Sequence, residues 1–265
     1  MATSMMEMAA RTTTPNYQPL ANVHVKANSP YGLPIVDNCV KCPLRTTNSF
    51  CALSQRSIEQ LDEMKHSTSY PEGALVFTEG QAARGVYILC QGRAKVLATN
   101  SDGKTLIVKI AQPGEILGVH SAVSGKAHEF TVETLQPSQL AFVRRDDFLR
   151  FIKQNGDACL QAAAHLSRDC QSAYEVIRAI GLAHSASEKL ARLLLQWSAD
   201  GKVIEGGVIR VKLALTHEEI AQLIGTSRET VTRILGDFKK QHIAELTGST
   251  LLVRNKPALE KSATN

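Results

Sequence analysis

Two helix-start signatures near the C-terminus restrict this chain more than any other feature. The segment reads LTHEEIAQLIGTSRETVTRILGDFKK, with Thr216 followed by Glu219 and Thr226 by Glu229. A Ser or Thr with Glu three residues later satisfies two orphan backbone N–H groups at a helix start. The spacing predicts one helix over His217–Ile224, a turn through Gly225 and a second helix beginning after Thr226. Two short helices joined by a tight glycine-containing turn make a helix-turn-helix.

The second helix sorts its residues by face. Val231, Ile234, Leu235 and Phe238 recur at i, i+3, i+4 and i+7 and must be buried. Thr226, Ser227, Arg228, Glu229, Thr232 and Arg233 fall elsewhere, in the turn and the first two helical turns. A recognition helix reads base edges from those turns. Arg can donate twice to guanine O6 and N7, and Glu can accept from cytosine N4. Ser227 and Thr232 can add phosphate or base contacts. The following IAELTGSTLLVRN reads as a hairpin through Gly248 and Ser249, the wing of a winged helix. Net charge is +5, which permits a double-stranded DNA partner without demanding one.

Upstream, Ser185 with Glu188 opens a helix that closes near Gly201. Before it, Cys159, Ala163, Leu166, Cys170, Ala173, Ile177 and Ile180 repeat at spacings of 4, 3, 4, 3, 4 and 3. That is an a/d seam over three heptads. It predicts a homodimer through this helix, with packing on the rest of the chain as the alternative. On either reading Cys159 and Cys170 are buried small apolar residues.

From about residue 71 to 145 the texture changes. Glycines at positions 73, 80, 85, 92, 103, 114, 118 and 125 punctuate short β-rich runs such as GVYILC, TLIVKIA and QLAFV. This predicts an antiparallel sandwich or barrel. Alternation places Val86, Ile88 and Cys90 on one strand face, which makes Cys90 a core residue. Just before the roll, Ile58, Leu61 and Met64 predict one short amphipathic helix.

The N-terminal part carries NCVKCPLRTTNSFC. Cys39 and Cys42 stand at C-x-x-C spacing, close enough for both sulfurs to face one ion or cluster, and Cys51 follows. Residues 1–36 and 258–265 show no periodicity and are expected to be disordered. No basic leader with an apolar core begins the chain, and no apolar run approaches the roughly 20 residues that cross a bilayer. The expectation is a cytoplasmic protein without a membrane partner, with its thiols reduced. No paired acids or nucleophile triad stands out, so an enzyme is not expected. A thiol oxidoreductase built on Cys39 and Cys42 is the remote alternative, and no thioredoxin-like βαβ pattern surrounds that pair.

The barrel, the seam helix and TSRETVTRIL with its wing resemble the CRP/FNR family of bacterial transcription regulators over roughly residues 38–257. The resemblance implies an α+β chain with an N-terminal cyclic-nucleotide-binding-type β-roll (37–147), a long dimerisation helix (148–183) and a C-terminal winged helix-turn-helix (184–257). It also implies an inverted-repeat DNA site, RNA polymerase as a partner, and Arg228, Glu229 and Arg233 as base readers.

Nucleotide-binding members carry a Glu soon after a Gly-Glu pair, and later an Arg followed by Ser or Thr. In GEILGVHSAVSGKAHEFTVETL those positions hold Val119 and His128-Glu129, so cyclic-nucleotide control in the usual mode is not expected, with Lys126 as the one substitute cation. A cyclic-nucleotide-responsive regulator is the alternative function. The oxygen-sensing FNR branch holds a [4Fe-4S] cluster with N-terminal cysteines and one from a late roll strand. Cys39, Cys42 and Cys51 match the general placement, but the late-strand stretch PSQLAFV has no cysteine. Cys90 completes the set only if it points outwards near the N-terminal arm; otherwise His66 or an Asp must serve. Zinc is the alternative metal, and a stretch that binds nothing is the third reading.

Overall fold

The computed structural model describes residues 30–46, 49–182, 185–199, 201–213 and 215–264. The chain divides into two compact units, one ending at Val176 and the other running from Ile177.

The first unit is a β-roll of two four-stranded antiparallel sheets. Its elements are α1 (Gln55–Met64), β1 (His66–Tyr70), β2 (Leu75–Phe77), β3 (Gly85–Gln91), β4 (Ala94–Thr99), β5 (Thr105–Ala111), β6 (Ile116–Leu117), α2 (Val119–Ser124), β7 (Thr131–Thr134) and β8 (Ser138–Arg144), then α3 (Arg145–Gln154) and α4 (Gly156–Leu182). One sheet has the order β1-β8-β3-β6 and the other β2-β7-β4-β5. Strand side chains alternate between faces, and β3 uses this to divide two cores. Val86, Ile88 and Cys90 join a layer shared with the arm, α3 and α4. Leu89, with half-buried Tyr87, packs into the roll interior with Phe77, Val132 and Leu140.

The arm is built into the first of these layers. Val36 N–H donates to Gln139 Oε1 (2.8 Å), and Gln139 Nε2 donates back to the Val36 carbonyl (2.7 Å). Phe50 is fully buried and its N–H donates to the Gly114 carbonyl (3.0 Å). Gly114 has φ +91°, and a Cβ there would lie 2.4 Å from Ser49 Cβ, so only glycine lets the arm lie this close. The disorder expected for residues 1–36 therefore fails over 30–36, where the long-range pairing to Gln139 leaves no local signal. Residues 1–29 lie outside the described residues.

The expected dimerisation segment 148–183 is two helices. Asn155 breaks them with extended backbone (φ −123°, ψ 102°), and its Nδ2 donates to the Phe151 carbonyl and to Gln60 Oε1. Ala158, Ala162 and His165 of α4 are buried, and Leu166 packs half-buried against the same layer. Lys109 of β5 fastens this helix by donating to Glu115 Oε2 (2.8 Å) and to Asp169 Oδ1. Burial works against the Asp169 charge, but the His165 ring, with Nε2 3.3 Å from Oδ2, and the Lys109 ammonium bring its carboxyl down to about 2.

Leu166 apart, the described seam residues fall elsewhere on α4. Cys159 and Cys170 are exposed in the single chain, so neither packs on the roll, which is met by the 158/162/165 stripe together with Leu166. Ala163, Ala173 and Ile177 are exposed as well, next to exposed Leu160 and Tyr174. The Ile180 side chain lies outside the described residues.

The second unit contains α5 (Ala186–Ser198), β9 (Lys202–Val203), β10 (Ile209–Lys212), α6 (His217–Ile224), α7 (Arg228–Lys240), β11 (Ala244–Thr247), β12 (Thr250–Val253) and α8 (Lys256–Ser262). Its sheet has the order β11-β12-β10-β9. Ser185 caps α5 by accepting from Glu188 N–H (3.1 Å). Leu190, Leu194, Ile220, Val231, Phe238 and Leu251 form its core. The tail expected to be disordered is α8. Asn255 caps it by accepting from Ala258 N–H (3.0 Å), Pro257 sits in its first turn, and Leu259 is fully buried. Ala258 and Ala263 pack beside Leu259, and Arg192 Nε donates to the Ala263 carbonyl (3.0 Å), so a helix too short to show a period is docked.

Candidate DNA-reading helix and cysteine site

The two short helices of the second unit form as their caps require. Thr216 Oγ1 accepts from Glu219 N–H (3.2 Å) while Glu219 Oε2 accepts from Thr216 N–H (2.9 Å). Gly225 ends α6 in the left-handed conformation (φ +67°), where a side chain is disfavoured. The second cap lies one residue beyond the expected Thr226. Ser227 Oγ accepts from Thr230 N–H (3.3 Å), while Thr226 donates its N–H to the Ala221 carbonyl (2.9 Å) and finishes the turn.

Val231, Ile234, Leu235 and Phe238 are buried. On the other side Ser227, Arg228, Glu229, Thr232 and Arg233 are exposed, and Thr226 is half-buried. Arg233 has only a long 3.8 Å approach to Asp237 Oδ2. Glu229 is held below the usual carboxylate range, chiefly by its own backbone N–H and by Ser227. The Thr232 hydroxyl is engaged within the chain, donating to the Arg228 carbonyl (2.9 Å) and meeting His217 Nδ1 (2.9 Å), so it ties α7 to α6. The surface thus presents two exposed guanidiniums and one carboxylate at the start of a helix, with the β11–β12 hairpin turning at Gly248 behind it.

In the first unit the structure brings Cys39, Cys42, Cys51 and Cys90 into one buried cluster. Cys90 lies where the β3–β8 register shifts between Leu89 and Gln91, and a bulge of this kind re-aims a side chain. The choice between a core Cys90 and one facing the arm dissolves, because the arm itself covers that face. His66 is exposed at the start of β1. No three of the four sulfurs lie within 4.8 Å of one another among the described residues. Four thiols, three from the arm and one from a strand, are the donor set that a zinc ion or an iron–sulfur cluster takes. Burial pushes Cys39 up to about 11 and Cys90 up to about 12, and raises Cys42 and Cys51 as well. Thiols in this setting stay protonated until a metal replaces the proton.

Two charged neighbours carry no motif in the sequence. Lys65 Nζ donates to Cys39 Sγ (2.9 Å), and Asp62 Oδ1 accepts from Cys39 N–H (2.9 Å). Their i, i+3 spacing at the end of α1 is their only trace, and it is common on any helix.

At the positions of a nucleotide cassette, Val119 is buried. His128 stacks on Phe77 inside the roll, with ring centroids 3.9 Å apart. Burial lowers the His128 pKa, so the imidazole is neutral near pH 7. Glu129 instead faces out to His120 Nδ1 (2.9 Å).

A β-roll followed by a helical connection and a winged helix-turn-helix defines a DNA-binding transcription regulator. The profile of the cyclic nucleotide-binding domain matches residues 67–155, and that of the Crp-like helix-turn-helix domain matches residues 188–262. The chain belongs to the CRP/FNR family of transcription regulators. It is 27% identical over 214 residues to the CRP-like cAMP-activated global transcriptional regulator of Mycobacterium tuberculosis, covering 81% of this chain and 95% of that one. It is 25% identical to the nitrogen fixation regulation protein FixK of Bradyrhizobium diazoefficiens, covering 74% and 81%. The solved structure of FixK2 from Bradyrhizobium japonicum superposes with a TM-score of 0.64 at 22% identity, covering 74% and 96%, and supports the fold. No helix of the described residues is long and apolar enough to cross a membrane.

Proposed function

We propose that this regulator reads redox state or oxygen through a [4Fe-4S] cluster held by Cys39, Cys42, Cys51 and Cys90, and binds an inverted-repeat DNA site as a homodimer. The observation that carries the reading is the meeting of four cysteines, three from the arm and one from β3, in a single buried layer. A cluster there would be ligated by these thiolates and would supply one-electron chemistry and sensitivity to oxygen. The same layer contains Ala158 and Ala162 of α4, so a change at the sulfurs meets the helix that carries the seam. Base reading falls to Arg228, Glu229 and Arg233, and RNA polymerase is the further partner.

The test is anaerobic purification followed by an absorption spectrum and iron, sulfide and zinc analysis. Iron and sulfide in the wild type are expected to be lost from each of Cys39→Ser, Cys42→Ser, Cys51→Ser and Cys90→Ser, and kept in Cys159→Ser and Cys170→Ser. Wild type without iron or sulfide refutes the reading, and zinc in their place moves the assignment to a structural metal.

A second reading, cyclic-nucleotide response, is favoured by the match of residues 67–155 and by the cAMP-activated relative. A rise in melting temperature with cAMP or cGMP would support it. Against it stand neutral His128 and outward-facing Glu129, which leave the roll interior without a cation for the phosphate at those two positions.

A further inference from the structure

Lys65 closes α1, its N–H bonded to the Leu61 carbonyl and its backbone turned to extended geometry (φ −77°, ψ 151°). That turn sends the side chain back over the arm, where only 6% of it remains exposed. Withdrawing an ammonium from water is costly unless its donors are matched. Here they are, with Asp62 Oδ1, Cys39 Sγ at 2.9 Å and the Asp37 carbonyl at 3.3 Å as acceptors. A neutral thiol is a weak acceptor, whereas a thiolate or a metal-bound sulfur accepts a charge-assisted bond. The same Asp62 Oδ1 also accepts from the backbone N–H of Cys39 (2.9 Å). Cys39 is therefore framed by one positive and one negative group, placed on a helix end rather than on the mobile tip of a loop.

We propose that Lys65 and Asp62 are positioning residues of opposite sign that set the reduction potential of the group held at Cys39. This rests on reading Cys39 as a cluster ligand. Charge near a cluster and hydrogen bonds to its sulfurs are what tune its potential. An N–H aimed at the ligand sulfur favours the more electron-rich, reduced form and raises the potential. The Asp62 carboxylate disfavours that form and lowers it. The pair as a whole is neutral, so the potential is set by a balance that either single substitution tips.

The experiment is a potentiometric titration of the anaerobically purified full chain, followed by absorption and electron paramagnetic resonance, with iron and sulfide counted in every sample. Lys65→Met is expected to shift the potential to more negative values, Asp62→Asn to more positive values, and Lys65→Arg to leave it near wild type. A role confined to folding would instead lower cluster content in all three without opposing shifts. Shifts of the same sign, or none, in proteins of wild-type iron content would overturn this inference and leave the cluster reading standing. If Lys65→Met holds no cluster, an unshifted Asp62→Asn is sufficient to overturn it. Wild type without iron and sulfide would overturn both.

Discussion

Replacing Arg233 with Ala removes a guanidinium from DNA recognition while leaving the fold almost untouched, and the two effects can be separated by size. The side chain is 70% exposed and its one ion-pair approach, 3.8 Å to Asp237, spans a single helical turn. Exposed pairs of this kind contribute about 0.3–0.5 kcal/mol, and Ala is at least as good a helix former as Arg. Folding stability should therefore stay within about 0.5 kcal/mol of wild type. A bidentate pairing of Arg with guanine discriminates by about 1–3 kcal/mol. A two-fold dimer makes it twice, so specific affinity should fall by about 2–6 kcal/mol, or roughly 30-fold to 20,000-fold. Non-specific affinity should change little. Lys239 offers the contrast: it is 66% exposed at the far end of the same helix, 3.9 Å from Glu245. Its removal should weaken all sequences alike and flatten the salt dependence by about one unit for each phosphate that the ammonium neutralises. The assay is selection from random duplexes, then anisotropy titrations on the selected and scrambled sites at several salt concentrations. Wild type is expected to enrich an inverted repeat with G·C pairs in each half-site, and Arg233→Ala to relax one position in each half. The same sequence preference from both proteins, or no inverted repeat at all, would refute the assignment of α7 as the reading helix.

Dimerisation is best tested on α4 residues that face away from the roll: Tyr174→Glu with Ile177→Glu replaces two side chains exposed in the single chain, so the roll should remain folded while the seam gains buried carboxylates. Monomers are expected in sedimentation, and an intact dimer would move the interface elsewhere. In the second unit, Leu259→Ala empties a fully buried site and should cost about 2–5 kcal/mol. The measurement is the denaturant midpoint of the winged unit, and an unchanged midpoint would mean that α8 does not dock.

What could be read in the sequence was local. The caps of α5 and α6, the buried stripe of α7 and the hairpin at Gly248 each depend on residues three to five positions apart, and each formed. The second cap moved from Thr226 to Ser227 because adjacent Thr and Ser offer the same hydroxyl, and the Schellman-like turn at Gly225 used the first. The cysteines were legible as three ligands in search of a fourth. Cys90 was visible as a core residue, but its partnership with the arm depends on the bulge opposite Leu140 and Gln139 and on the Val36–Gln139 clasp, which joins residues 103 positions apart. No short window of sequence carries such a pairing. The seam showed the reverse limit: a heptad pattern names the residues that want a partner, while only the packed roll decides that the 158/162/165 stripe, with Leu166 beside it, is already occupied and that the rest of the seam is left exposed.

Strand β3 belongs to two cores at once, with Val86, Ile88 and Cys90 on one side and Tyr87 and Leu89 on the other. This makes it an addressable partition for anyone redesigning the roll. Changes at its even positions reach the thiol layer, and changes at Tyr87 and Leu89 reach the packed interior that contains Phe77, on which His128 stacks. A library varied at one parity can repack one core and leave the other as it was, so two layers could be redesigned separately from a single seven-residue strand.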